Sequence, residues 1–436
     1  MSRVLSIELR RSAAIGAAVS VAVIGTLAMY FAEGIAFSTG WIQLAMTQRW
    51  YLALLWPLML AAGAWQARRE HRSHVAELVA STARPRAQRV TPILAAFAIA
   101  VVAGYLAMAA AAVPWIAGTA RYLPANGLIV LAVGALALIA AAWLGLAAGR
   151  LLPSPITAPA LAVAGLGVLM LLPAATGHRE WLAQVFAPTR GMGLFTPYPT
   201  VPGGVSVAQT IWLAALAATA LVLLAAGSRR ARAAALLPAV LGAAVTVLVA
   251  PSGSDFADAP MDTVARELVC ADGTPQVCVS RIHAGLLPEV TPLARRGLTM
   301  LAKLPNAPAG AAENINTFAD ENAQPQRPDT VLLDIDVDSR GHLAGDADFL
   351  PRMLNAAGVD TGACAETLSG PVSRAAAYWL MDLEPGLIDT DAETHTLWQG
   401  LRDLPEAEAT ARIAAVRRAA LDCQNLDELL TTGNRG

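Results

Sequence analysis

Few side chains in this 436-residue chain are placed to do chemistry. Asp334, Asp336 and Asp338 alternate in TVLLDIDVD, so a strand over 330–338 would present three carboxylates on one face. A calcium loop opens this way, but it needs glycine at its sixth position and glutamate at its twelfth. This segment has Ser339 and Gly345 there, so the aspartates read as a solvated strand face. His283, His342 and His395 show no H-E-x-x-H or paired spacing, and no metal site is expected from them. No G-x-x-x-x-G-K-[S/T] phosphate loop occurs, and Lys303, the one lysine, lies in the apolar run LTMLAKL. No catalytic residue and no cofactor of the chain's own is therefore expected.

The remaining chemistry belongs to cysteine. Cys270, Cys278, Cys364 and Cys423 all fall in the C-terminal part. An even number confined to one region points to disulfides in an oxidising compartment. ELVCADGTPQVCVS reads as a hairpin around Asp272-Gly273, and Cys270 and Cys278 are equidistant from Thr274, so they face each other across the strands. Cys364 and Cys423 form the second bridge by elimination.

The elements that carry these residues divide sharply. Overall 56% of residues are hydrophobic, 15% are charged and mean hydropathy is +0.50. Residues 1–250 hold 17 arginines, no lysine and 5 carboxylates, a net of +12. Residues 251–436 hold 14 basic and 28 acidic residues, a net of −14. Two environments follow from that asymmetry. A helix needs about 20 apolar residues to cross a bilayer. Seven such stretches recur: Ser12–Phe31, Tyr51–Ala67, Val90–Trp115, Gly127–Gly149, Ile156–Ala174, Val207–Gly227 and Ala233–Ala250. Ahead of them, residues 1–11 read as an amphipathic helix on the membrane surface. Trp41, Trp50, Trp115, Trp181 and Trp212 fall near span ends, as interfacial anchors do.

Arginine sets the orientation. With the N-terminus inside, 13 arginines face the cytoplasm and 4 (Arg49, Arg121, Arg179 and Arg190) face outward. Seven crossings then place the C-terminal domain outside, in the compartment that the cysteines require. The expected fold is a polytopic α-helical membrane protein of about seven transmembrane helices over 12–250. A linker over 251–261 follows, then a mixed, mainly helical α/β extracytoplasmic domain over 262–436. An outer loop over 178–206 is Pro- and Gly-rich after a short amphipathic patch, Trp181 to Phe186. It reads equally as a re-entrant helix or a plain surface loop.

The cytoplasmic loop 68–89 contains REHRSHVAELVASTARPRAQR. Val75, Leu78 and Val79 share one helical face among arginines and glutamates, a form suited to docking a soluble partner. The layout of residues 1–230, and this loop in particular, resembles the permease subunits of type-2 ABC exporters. The matching residues are Arg69 and Glu70 at the span's end, Glu77 and Leu78 at the acidic-leucine step, and Arg84, Pro85 and Arg86 at the exit. His71 and His74 depart from the common pattern, as do the seventh span and the outer domain. The resemblance implies that this loop couples to a separate ATPase subunit that binds ATP and magnesium. It also implies pairing with a second permease subunit, as a homo- or heterodimer, in the cytoplasmic membrane. Uncharged spans favour an amphipathic or lipidic cargo over a small ion. The partners expected are the ATPase, the second permease, membrane lipid and no nucleic acid. The outer domain is then a cargo- or partner-binding module. The alternatives are a membrane-anchored sensor with an extracytoplasmic ligand domain, and an envelope enzyme. Non-reducing peptide mapping is expected to recover two cystine-linked pairs, Cys270 with Cys278 and Cys364 with Cys423. Recovery of four alkylatable thiols would refute the pairing.

Overall fold

The computed structural model describes residues 13–31, 37–72, 86–177, 179–187, 189, 198–250, 261–316, 326–360, 370–385, 391–427 and 429–430. The surface helix expected over 1–11 lies outside the described residues, as does the expected linker up to residue 260. The chain forms two compact units: 1–117 with 123–262, and 118–122 with 263–436.

The first unit is helical: α1 (Ala14–Phe31), α2 (Trp41–Arg72), α3 (Arg86–Ile116), α4 (Ala125–Leu151), α5 (Thr157–Thr176), α6 (Glu180–Phe186), α7 (Gly203–Ala225), α8 (Arg229–Ala234) and α9 (Leu237–Val249). Six stretches among the described residues are long and apolar enough to cross a membrane: α1, α3, α4, α5, α7, and α8 with α9 together. Seven were expected. The missing one, Tyr51–Ala67, is the middle of α2, where Trp56, Pro57, Trp65 and Gln66 dilute the apolar run. The last stretch breaks between α8 and α9 because Pro238 sits in the first turn of α9, where its missing N–H costs nothing. Part of the outer loop is the short helix α6, whose Phe186 ring meets Trp212 edge-on at 5.0 Å.

Arg49 departs from its expected place on the outer side. Helix α2 begins at Trp41, so Arg49 lies two turns inside it and is only 3% exposed.

Small residues set how these helices meet. A Cβ on Gly145 of α4 would collide with the carbonyl of Leu60 in α2, and one on Gly63 of α2 would collide with the carbonyl of Ala142. One on Gly149 would come within 2.7 Å of the Ala64 Cα. The N-terminal ends match too, Gly127 lying beside Trp41 and Ile42. Helices α2 and α4 thus run parallel, backbone against backbone, as small-residue pairs do in membranes. Likewise α1 and α3 run parallel, with Gly104 on Ala18 and Gly25 on Met108. Helices α3 and α4 are antiparallel: Trp143 Nε1 donates to Leu94 O (3.1 Å), and Gly134 lies against the Tyr105 hydroxyl. Antiparallel α7 and α9 meet through Gly242 on Ala215 and a Thr246 hydroxyl donating to Ala208 O.

The second unit is a mixed sheet with helices: α10 (Thr263–Arg266), β1 (Leu268–Cys270), β2 (Gln276–Ser280), α11 (Leu287–Leu301), β3 (Gly310–Glu313), β4 (Thr330–Leu333), α12 (Asp346–Leu354), α13 (Gly370–Met381), α14 (Ala392–Arg402) and α15 (Glu406–Leu421). Strand order is β1-β2-β3-β4; β1 is antiparallel to β2, and β2, β3 and β4 are parallel. In the hairpin Cys270 is registered opposite Cys278 and the two are disulfide-bonded. Cys423 is also half of a disulfide, and Cys364 lies outside the described residues. The core joins Val277, Leu298, Val331, Phe349, Ala376 and Ile413 from strands and helices. The strand expected over 330–338 ends at Leu333. Beyond it Asp338 accepts from the backbone N–H groups of Arg340 and His342 (2.7 and 2.9 Å), a turn that cannot continue a flat strand. The three aspartates therefore share no strand face.

Gly145→Ala is expected to destabilise the full chain by about 1–3 kcal/mol, because the added carbon has no room beside Leu60. Gly167→Ala, where no atom lies within 4 Å of the added carbon, is the control and should hold or raise the thermal midpoint. Thermal-shift measurements in detergent check both.

Candidate functional site

The segment expected to couple to an ATPase joins two long helices. Helices α2 and α3 have 32 and 31 residues. At 1.5 Å per residue they extend about 45 Å, against a hydrocarbon core of about 30 Å. Arg69 and Glu70 lie in the last turn of α2, and Arg86 opens α3. Val75, Glu77, Leu78, Val79 and Arg84 lie outside the described residues.

Helix directions decide which ends gather together. Ala13 N–H donates to Gln66 Oε1 (2.9 Å), so the start of α1 lies by the end of α2. The start of α3, parallel to α1, is at that end, and so is the end of α4, parallel to α2. One end of this helix set therefore collects Arg68, Arg86, Arg89 and Arg150, with Arg68 over the Trp65 ring at 6.0 Å. The other end is aromatic: Tyr30 meets Phe37 and Trp115 edge-on at 5.6 and 6.0 Å, and its hydroxyl donates to Ala111 O. Arginine concentrated at one end, with aromatic side chains at both (Trp65 here; Tyr30, Phe37 and Trp115 there), is the pattern of helices that span between two membrane interfaces.

In the second unit, polar side chains line the carboxyl ends of the parallel strands, where open α/β sheets bind ligands. Asn314 follows β3, and its amide donates to Asp334 Oδ1 (3.4 Å) and Asp360 Oδ2 (2.9 Å). Arg352 of α12 pairs with Asp336 at 2.5 Å. Leu332, Asp334, Phe349, Arg352, Asn355 and Asp360 help to line a pocket of about 120 Å³. At about 30 Å³ per water, it has room for a small polar group rather than a lipid chain. Partial withdrawal from water raises the Asp334 carboxyl above its ordinary range, and the Asp360 charge raises it further. The Asn314 hydrogen bond and Arg352 work against both.

Beneath the pocket the backbone takes an uncommon path. Ala356, Ala357 and Gly358 have φ of 46°, 55° and 80°, which costs the two alanines about 1–2 kcal/mol each. Arg417, 0% exposed, holds this turn. Its guanidinium donates to the carbonyls of Ala357 (2.7 Å), Gly358 (3.0 Å), Pro328 (2.7 Å) and Asn306 (3.2 Å). Burial pushes its pKa down to about 10, so it stays charged at neutral pH.

The histidines do not converge. His283 pairs with Glu313 (2.7 Å), His342 with Glu289 (2.8 Å) and His395 with Glu384 (3.4 Å). Among the described residues no three His, Cys, Asp or Glu side chains are grouped to hold a metal. The buried set Ser280, His283 and Glu313 contains the residue types of a hydrolase triad, but the geometry differs. Both the serine hydroxyl (3.4 Å) and the glutamate lie on Nδ1, whereas a nucleophile must sit on Nε2. Glu313 Oε2 also accepts from Ser280 N–H (2.7 Å), which ties β2 to β3. Nothing in the sequence spacing marks Glu313 or Arg417; both act through contacts 30 to 111 residues distant.

No protein-family model, no curated protein and no solved structure matches the chain.

Asp334→Asn is expected to raise the thermal midpoint of the second unit at pH 7 by about 1–3 °C. A carboxyl whose folded pKa is raised contributes stability below its unfolded pKa and loses it as pH rises through the folded value. The gain should therefore vanish on acidification below about pH 4. A pH series of thermal-shift curves on both proteins checks this; a gain independent of pH would contradict it.

Proposed function

We propose that this chain is the membrane permease subunit of an ATP-driven ABC exporter, carrying an amphipathic or lipidic cargo across the cytoplasmic membrane. The observation that carries this reading is the basic end of the first unit. Helices α2 and α3, with 32 and 31 residues, are longer than a bilayer crossing needs and flank residues 73–85 of the segment there. A rigid stem on both sides of a docking segment is what transmits a partner's motion into the bundle. The chain contributes no nucleotide site, so an ATPase subunit docked on this segment hydrolyses ATP with its magnesium. A second permease subunit completes the pathway.

Seven alternating crossings, with α2 as the second, are supported by the parallel pairs α1–α3 and α2–α4 and the antiparallel pairs α3–α4 and α7–α9. Helix α2 lies parallel to α4 over most of its length, which supports reading it as a crossing beside α4. Pro199 pairs with Met261, and Asp262 N–H donates to Tyr198 O (3.0 Å), so the stretches before α7 and after α9 share one side. With the basic end inside, the second unit is extracytoplasmic, where its disulfides persist. It serves the exporter as a binding module.

The pocket at Asp334 and Asp360 favours a second reading, a sensor whose outer unit binds a small polar ligand. A sensor has no use for a docked ATPase. Affinity purification of the tagged chain from its native membrane is expected to retain a subunit bearing a phosphate loop. If none follows it, the sensor reading stands. In the reconstituted complex, Glu70→Ala and Leu78→Asp should cut cargo-stimulated ATP hydrolysis and export by roughly tenfold, with membrane abundance unchanged. Wild-type rates in both variants would remove the coupling assignment.

A further inference from the structure

The interior of the first unit is largely apolar, and several of the polar side chains it buries, such as Gln66 and Thr246, are hydrogen-bonded. Gln48 of α2 is 0% exposed, and neither its amide nitrogen nor its amide oxygen has a hydrogen-bond partner among the described residues. Arg49, the next residue, is 3% exposed and interacts electrostatically with Tyr105 of α3. Tyr105 is 1% exposed, and its hydroxyl has no hydrogen-bond partner among the described residues.

These three side chains lie at one depth. The parallel pair α2 and α4 is in step at Trp41 with Gly127 and at Leu60 with Gly145, so Gln48 and Arg49 are level with the turn around Gly134. Gly134 is the residue against which the Tyr105 hydroxyl rests. The level is about 10 Å in from the aromatic end of α2. Leaving a fully buried amide and a buried phenol without partners costs each group its hydration with nothing in return. A leucine and a phenylalanine would fill the same space without that cost. Ionisable and polar groups inside a membrane bundle, at such cost, mark a pathway or a ligand.

We propose that Gln48, Arg49 and Tyr105 form a binding site for the anionic headgroup of an amphiphile. All three present donors: an amide N–H, a guanidinium and a phenolic O–H. A phosphate or carboxylate accepts from all of them, and a cation is refused by Arg49. The surrounding helices are apolar, so the rest of the ligand is a hydrocarbon chain. The proposal rests on the transport reading only for what happens after binding; it names the cargo class as an anionic amphiphile.

The test uses the full chain in nanodiscs of neutral lipid, without any ATPase, so that its outcome is independent of ATPase docking. Dodecyl phosphate is titrated and read by tryptophan fluorescence and thermal shift, beside dodecyl maltoside and inorganic phosphate. Wild type is expected to bind dodecyl phosphate at least tenfold more tightly than either comparator. Gln48→Leu and Tyr105→Phe are expected to lose at least tenfold in affinity while their ligand-free thermal midpoints hold or rise. Arg49→Gln should abolish the preference for phosphate over maltoside. Equal binding by wild type and Gln48→Leu overturns the site. So does a Gln48→Leu protein that is strongly destabilised without ligand, since the amide is then structural. Inorganic phosphate binding as tightly as dodecyl phosphate overturns the amphiphile assignment.

Discussion

The close approach of α2 and α4 is the constraint on which the first unit depends. Three glycines, Gly63, Gly145 and Gly149, let two backbones touch where any side chain would hold them apart. In a bilayer no water is expelled when helices meet, so association rests on packing and on what close backbones allow. That contact fixes the direction of α2 and its step relative to α4. It decides that Gln48 and Arg49 are enclosed rather than facing lipid, and that Arg68 and Arg150 emerge together. Lengthening any of the three glycines would disturb both the buried polar level and the basic end.

The second unit depends on a different device. After β4 and α12 the chain turns beneath the carboxyl ends of the strands through left-handed residues at Ala356, Ala357 and Gly358. Arg417 gathers four carbonyls from three distant segments and so makes an unfavourable turn the stable one. The pocket at Asp334 and Asp360 is shaped by the same turn, because Asn355 and Val359 line it from either side.

Six of the helical stretches were legible because lipid-facing helices need uncharged runs of fixed length, and composition alone records that. The Cys270–Cys278 hairpin was legible because both partners flank one turn. The second span was harder. Its Trp56, Pro57 and Gln66 dilute the apolar run, and the structure adds that this stretch packs parallel to α4. Arg49 looked like a loop residue because its neighbours Thr47, Gln48 and Trp50 are not apolar; its burial comes from other helices. Asp334, Asp336 and Asp338 alternate as a strand should, but each has its own partner in Asn314, Arg352 and a local turn. The docking segment at Val75–Val79 remains a reading of sequence, and Arg69, Glu70 and Arg86 place only its two ends.

The parallel pairing of α2 with α4 also bears on how the protein is made. A translocon releases helices in the order of synthesis, and α2 is the least apolar of those read as crossings. Its glycine-matched partner emerges about 85 residues later, after α3 has already been threaded. For α2 read as a crossing, its close contact with α4 forms only once α4 has been synthesised, so that pairing is not made helix by helix in chain order.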